Sequence, residues 1–96
     1  MIQLTPAAVR QVIAAAEDAG IEEPLLRVAA RSSGEDGSVE FGMGFDERGV
    51  QDEEVLCYGV TVLVSPPSLA ALEGVILDYV ELSPGEFHFV FGQAAG

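Results

Sequence analysis

Residues 27–45 read RVAARSSGEDGSVEFGMGF, and this stretch decides the fold. On both sides of its centre, apolar residues alternate with other residues, which is the two-residue period of a strand with one apolar face. The centre, SSGEDGS at residues 32–38, consists of turn-forming residues. The sequence therefore predicts a β-hairpin over about residues 25–46. Its loop should reach solvent, where a rigid scaffold commonly carries function.

A helix is predicted before the hairpin. Thr5 and Pro6 have the residue types preferred at an N-cap and at the first helical position. One apolar face follows at helical spacing, made of Val9, Val12, Ile13 and Ala16. Gly20 suits the position just past the helix end, because glycine adopts the left-handed conformation without steric cost. The pattern predicts an amphipathic helix that packs on the core.

More strands are predicted after the hairpin. Residues 55–64 are rich in strand-forming types and are interrupted by Tyr58 and Gly59, which predicts a second hairpin or a bulge. Residues 69–74 then predict a short helix. Two further strands follow, at about residues 75–82 and 87–91.

The fold class predicted from these elements is mainly β (α+β). We expect a compact β-sandwich or distorted barrel of about seven strands, with the N-terminal helix and one short helix. The ninety-six residues suffice for a single domain, residues 1–96. The predicted core combines apolar residues of the helix and the strands: Val12, Ile13, Val28, Phe41, Met43, Val62, Val64, Leu77, Phe87 and Phe89.

The charge of the chain excludes two classes of partner. Sixteen acids face four basic residues, for a net charge of −12. Nucleic-acid binding needs a basic surface, and an anionic membrane attracts one, so neither partner is expected. No apolar run has the length needed to cross a bilayer, and no secretory signal pattern is present, so a cytoplasmic location is expected. The acidity fits either general solubility or a surface for a basic partner or a cation.

The chain resembles the HesB/IscA family of A-type iron–sulfur carrier proteins. The resemblance is carried by the strand followed by Arg-Ser-Ser-Gly-x-x-Gly at residues 31–37, and by the aromatic-rich strand after it. It is carried again by Leu-Asp-Tyr-Val at residues 77–80 and by the Phe-x-Phe strand near the end. The Thr-capped first helix also matches. The resemblance implies the fold predicted above, and it implies self-association into a homodimer.

The chain departs from that family at the residues that would hold a cluster. The family typically has cysteine in this loop, where Glu35 stands here, and a Cys-Gly-Cys tail, where Gly-Gln-Ala-Ala-Gly stands here. Clusters are held by thiolates, usually four, and Cys57 is the single cysteine, in a β-rich segment where a small buried side chain is the common role. No iron–sulfur cofactor is therefore expected.

These observations predict a non-catalytic module related to iron–sulfur cluster assembly. No recognisable catalytic motif surrounds the single cysteine or the single histidine, so an enzyme is not expected. The partner would be a protein, drawn from iron–sulfur or sulfur-transfer machinery. The predicted protein-binding loop is Ser33, Gly34, Glu35, Asp36 and Gly37.

Two alternatives stay open. Carboxylates suit iron or other divalent cations, and the candidate ligands are Glu35, Asp36 and Glu40. His88, more simply an exposed residue of the last strand, is the one imidazole that such a site could add. The other alternative is a true iron–sulfur carrier that uses Cys57 in an oligomer.

Overall fold

The computed structural model describes residues 1–32 and 38–93. In chain order its elements are β1 (Gln3–Leu4), α1 (Pro6–Asp18), β2 (Leu25–Ser32), β3 (Val39–Phe45), β4 (Glu53–Cys57), β5 (Val60–Val64), a 3-10 turn (Pro66–Ser68), β6 (Val75–Ser83) and β7 (Glu86–Gln93). The described part thus contains the predicted strand number and the predicted N-terminal helix. It contains no helix long and apolar enough to cross a bilayer.

The strands form two mixed sheets. One sheet has the order β1-β6-β7 and the other β3-β2-β5-β4. β1 runs parallel to β6, and β2 runs parallel to β5, while the remaining neighbours are antiparallel. The predicted hairpin is β2–β3, and the predicted break at Tyr58 and Gly59 is the turn between β4 and β5.

The two sheets meet at both pairs of edges. At one seam, the ring of Phe41 on β3 stacks on that of Phe91 on β7, with ring centroids 4.7 Å apart. At the other seam, the main chain of Leu4 on β1 hydrogen bonds to the Cys57 thiol on β4. These contacts close the sheets around one core, in the predicted arrangement of a sandwich or distorted barrel.

Helix α1 is fixed to the core at its first turn. The Thr5 hydroxyl accepts a hydrogen bond from the Ala8 N–H at 3.2 Å and donates one to the Asp78 carboxylate at 2.6 Å. The Thr5 N–H also donates to the Leu77 carbonyl. The helix ends where Gly20 takes a φ of +74°, as predicted. The cap therefore joins the start of α1 to the middle of β6.

Most of the predicted core is confirmed. Val12, Val28, Val62, Val64 and Leu77 are fully buried, and Ile13, Phe41, Met43 and Phe89 are partly buried against them. The prediction was wrong for Phe87, which is 51% exposed. It lies on the core-facing side of β7 opposite Glu81, next to the β6–β7 turn, where the strand has passed the end of the core.

The predicted short helix over residues 69–74 is also wrong. A 3-10 turn forms earlier, at Pro66–Ser68, because proline favours the first helical position. After it the chain makes isolated turns, with the Leu72 N–H bonded to the Ser68 carbonyl and the Val75 N–H bonded to the Leu72 carbonyl. The segment is too short for a stable helix before β6 begins.

Candidate functional site

The β2–β3 hairpin presents the predicted binding loop. Its register runs without interruption from Leu26 opposite Phe45 to Ser32 opposite Val39. Leu26, Val28 and Ala30 face the core, as the alternation predicted. The loop residues Ser33, Gly34, Glu35, Asp36 and Gly37 lie outside the described residues. The loop site is consequently defined by the two strand ends that lead into it.

An ion pair lies close to the loop. The Arg31 guanidinium donates to the Glu40 carboxylate at 3.0 Å, directly across the two strands. Both side chains are exposed, so the pair contributes little stability. Glu40 was one of the three candidate metal ligands, and the structure places its carboxylate against the Arg31 guanidinium. Its proposed companions Glu35 and Asp36 belong to the loop that the structure does not describe.

A buried serine supports the far half of the hairpin. β2 pairs with β5 only over Leu25 to Arg27. Beyond that point the Ser68 hydroxyl accepts from the Ala30 N–H at 3.1 Å and donates to the Ala30 carbonyl at 3.2 Å. Ser68 is 4% exposed and replaces the missing strand neighbour. A groove of about 460 Å³ opens beside it, lined in part by Phe41 and Pro67.

Residues 46–52, here called the acidic strap, are held across the outer face of the larger sheet by Arg27. The Arg27 guanidinium binds both oxygens of Asp52, at 2.8 and 2.5 Å, and one oxygen of Asp46 at 2.5 Å. Asp52 also accepts from the Gly49 N–H at 2.6 Å. The hydrogen bonds from Arg27, with that from Gly49, lower the pKa of Asp52 to about 2. Arg27 likewise lowers the pKa of Asp46.

An apolar residue lies among the charged residues of this outer face. Leu63 is fully buried but lies outside the contiguous core cluster that contains its neighbours Val62 and Val64. Arg27 and Glu54 flank Leu63 on the same outer face. Arg48 extends the network, since its guanidinium contacts Glu54 at 3.0 Å and Glu23 at 2.6 Å. These acids therefore fasten the strap to the sheet.

These ion pairs give structural roles to several of the acids whose purpose the sequence left open. Three of the four arginines, Arg27, Arg31 and Arg48, bind carboxylates. Across residues 1–32 and 38–93, no group of three or more His, Cys, Asp or Glu side chains is placed to hold a metal ion. His88 is exposed on β7, opposite Val80, and belongs to no such group. The sequence carries one signal for this network: the alternation that directs Leu26 and Val28 to the core directs Arg27 outward, where its charge needs an acidic partner.

Cys57 lies in the seam between the sheets and not beside the loop. Its side chain packs partly against the core, and the main chain of Leu4 hydrogen bonds to its sulfur. Burial raises the pKa of the Cys57 thiol, and the bond from Leu4 opposes this only in part. The sulfur therefore accepts a hydrogen bond from the main chain of β1, an edge strand of the smaller sheet. One thiol in this position, with no ligand group around it in the described residues, does not fit an iron–sulfur cluster.

Comparison with known proteins gives relatives over nearly the full length. An uncharacterized protein in the nifU 5′ region of Cereibacter sphaeroides is 37% identical, covering 95% of this chain and 85% of that protein. A crystal structure of IscA with the [2Fe-2S] cluster superposes with a TM-score of 0.77 at 24% identity, over 97% of this chain and 85% of that one. Escherichia coli SufA, described as involved in biosynthesis of iron–sulfur clusters, superposes with a TM-score of 0.76 at 18% identity, over 96% and 79%. No family model matches.

Proposed function

Because the chain belongs to the HesB/IscA-like family, we propose that it is a non-catalytic protein-binding module that works beside iron–sulfur cluster assembly in the cytoplasm. In this role it keeps the family framework and presents the loop at residues 33–37 to a protein of the iron–sulfur or sulfur-transfer machinery. The cluster itself is held by other proteins.

One observation carries this proposal: the single thiol of the sequence is used inside the fold. The Cys57 sulfur accepts a hydrogen bond from the Leu4 main chain and helps close the seam between the sheets. A thiol that binds iron has to be deprotonated, and burial raises the pKa of this one. The loop position where the family carries cysteine holds Glu35. These facts support a framework that has lost cluster ligation.

The context of the relatives supports the pathway. The Cereibacter sphaeroides relative is named for the nifU 5′ region, and SufA is described as involved in biosynthesis of iron–sulfur clusters. A protein that keeps the fold without a ligand set can still act through its surfaces. We include a homodimer in the proposal, and sedimentation velocity tests that part separately.

Anaerobic reconstitution tests the absence of a cluster. Purified protein is incubated with ferrous iron, sulfide and a thiol reductant, with IscA treated in parallel as a positive control. We expect a colourless product after desalting, with no visible absorption band. A brown protein whose colour disappears in Cys57→Ala would show instead that the chain carries a cluster through its thiol.

Affinity isolation tests the binding role. Tagged protein from its native cytosol should retain an iron–sulfur or sulfur-transfer protein that a loop variant, Glu35→Lys, retains weakly. Glu86→Lys is the matched control, because Glu86 is an exposed acid at the start of β7, in the other sheet. Recovery of no such protein, or equal recovery with both variants, contradicts the proposed use of the loop.

A further inference from the structure

Strand β4 has an edge, here called its free edge, whose main-chain groups pair with no strand in the described residues, although the Cys57 side chain contacts Leu4 of β1 at the seam. Among residues 1–32 and 38–93, β4 is the last strand of the larger sheet and pairs only with β5. A two-residue turn joins them, so Cys57 and Val60 form the hydrogen-bonded pair that closes the hairpin. Alternation then directs the main-chain N–H and C=O groups of Glu54 and Leu56 away from β5. Within the described residues these groups have no main-chain partner.

Large apolar side chains lie exposed at this edge. Leu56 is 75% exposed and Tyr58 is 76% exposed. Leu56, Thr61 and Leu25 stand side by side on the outer face of three adjacent strands. A groove of about 410 Å³ separates the edge from residues 1–4. Exposed apolar surface beside an unpaired strand edge is a surface on which another chain can add a strand.

The β4–β5 turn holds the exposed Tyr58 in an unusual backbone conformation. Tyr58 has a φ of +49° and Gly59 a φ of +91°, the pair of positive values that a two-residue turn of this kind requires. Asparagine or glycine is the usual residue at the first position, and a bulky aromatic residue is rare there. An exposed tyrosine held in this conformation contributes little to the core.

The edge is rimmed by acids. Glu22 and Glu23 are exposed on the segment beside Thr61, and Glu53 and Glu54 are exposed on β4 itself. Against these four carboxylates stands one guanidinium, that of Arg48, which already binds Glu23 and Glu54. A chain that approaches the edge therefore meets apolar side chains inside a ring of excess negative charge.

We propose that the free edge of β4 binds an extended, basic segment of a partner protein, which adds a strand beside Glu54 and Leu56. Main-chain hydrogen bonds to the edge provide affinity, and apolar residues of the segment contact Leu56 and Tyr58. Its lysine or arginine side chains meet the acidic rim. The inference deepens the proposed function, on which it rests, by naming a second surface and the chemistry of the partner.

Charge favours a basic segment over two other possible occupants of the β4 edge. A second copy of the chain would bring the same excess of carboxylates to the edge, and like charges in apposition oppose association. An anionic lipid surface would be repelled for the same reason. A basic polypeptide is the occupant that the rim favours.

A peptide titration tests the proposal. The probe is Ac-Lys-Val-Lys-Val-Lys-NH2, added to the full-length ¹⁵N-labelled chain and followed by amide chemical shifts. Controls are the acidic peptide Ac-Glu-Val-Glu-Val-Glu-NH2 and the basic peptide with every backbone nitrogen methylated, which has no main-chain N–H to donate to a strand edge. The variant is Leu56→Ser. Its matched control is Leu82→Ser, because Leu82 is an equally apolar side chain, 61% exposed, on the other sheet.

The expected result is a set of shifts centred on Glu54, Leu56 and Thr61, with at least tenfold weaker binding for Leu56→Ser, for the methylated peptide and for the acidic peptide. Leu82→Ser should bind as the wild type does. Shifts spread evenly over the acidic surface, or equal binding by the methylated peptide, would overturn the proposal. So would wild-type self-association that Leu56→Ser abolishes, or sedimentation with phosphatidylglycerol vesicles. If the peptide fails while the affinity isolation above still succeeds, the proposed function stands without this edge.

Discussion

The rings of Phe41 and Phe91 stack with centroids 4.7 Å apart and planes inclined by only 10°. The contact joins β3 and β7, the edge strands of two different sheets. β3 is one strand of the hairpin that carries the candidate loop. The stacked pair therefore links this hairpin to the smaller sheet. The same contact that closes the fold therefore also fixes the direction of the hairpin.

Replacing Phe41 by alanine should lower the free energy of unfolding by ~2 kcal/mol, below the usual range for a fully buried phenylalanine, because this ring packs against the core but is not fully buried. Urea unfolding followed by circular dichroism measures the change. A cycle of Phe41→Ala, Phe91→Ala and the double variant should give a coupling of ~1 kcal/mol. Phe87→Ala serves as the control and should cost less than the seam variants, since Phe87 is half exposed. A coupling near zero would show that the stack does not join the sheets.

The second prediction concerns the Ser68 hydroxyl, which bonds both the N–H and the carbonyl of Ala30. Ser68→Ala leaves the Ala30 N–H buried without an acceptor, at a cost of ~1–3 kcal/mol. Hydrogen exchange at the Ala30 amide should accelerate more than exchange at Val62, which stays paired in the sheet. Ser65→Ala is the matched control, because Ser65 makes no capping hydrogen bond with its side chain. Equal effects of the two variants would remove Ser68 from the support of the hairpin.

The acidic strap should respond to pH through Asp52. Its pKa in the folded chain is about 2, below the value of ~3.9 in an unfolded chain. The bonded carboxylate therefore stabilises the fold fully above about pH 4, and this contribution is lost as the pH falls toward 2. Urea midpoints measured from pH 6 to pH 2.5 should fall more steeply for the wild type than for Asp52→Asn. Glu17→Gln, which changes an exposed acid on α1, should retain the wild-type slope. Parallel slopes for wild type and Asp52→Asn would contradict the role of Arg27.

The thiol provides a fourth prediction. Since burial raises the pKa of Cys57, less of it is thiolate at pH 8 than for a free cysteine, and the sulfur already accepts a bond from Leu4. Its reaction with a disulfide reagent should be at least tenfold slower in the folded chain than in 6 M guanidinium chloride. Absorbance of the released thiolate measures both rates. Folded-state reaction at the unfolded rate would mean that the seam does not protect the sulfur, and would reopen its use as a ligand.

Local patterns predicted the fold wherever a residue's role depends on its immediate neighbours. The alternation of Leu26, Val28 and Ala30 correctly gave the buried face of β2, and Thr5 and Gly20 correctly gave the helix ends. Phe87 was assigned to the core because it continues an alternating strand, but alternation does not show where the core ends. The short helix was misplaced because Pro66 and Pro67 start a turn before the apolar segment.

The candidate site was less predictable, because its decisive contacts join residues far apart in sequence. Arg27 and Asp52 are separated by twenty-five positions, and only the fold shows that the acids of the strap bind arginines. The bond between Leu4 and Cys57 likewise needs the two sheets to be in place. The assignment of the loop at residues 33–37 rests on resemblance, and the structure leaves that prediction as it was.

The last prediction separates stability from binding at the β4–β5 turn. Tyr58 occupies a left-handed conformation, with a φ of +49°, that asparagine tolerates far better than an aromatic residue. Its side chain is mostly exposed, so Tyr58→Asn sacrifices little packing and should raise the free energy of unfolding by ~0.5–1 kcal/mol. Gly59→Ala should instead lower it by ~1 kcal/mol, because no neighbouring atom would clash and the φ of +91° alone opposes alanine. If Tyr58 is retained for the edge of β4, Tyr58→Asn should also bind the basic peptide more weakly while folding more stably. A variant that is both less stable and equally able to bind would show that the tyrosine serves the turn and not a partner.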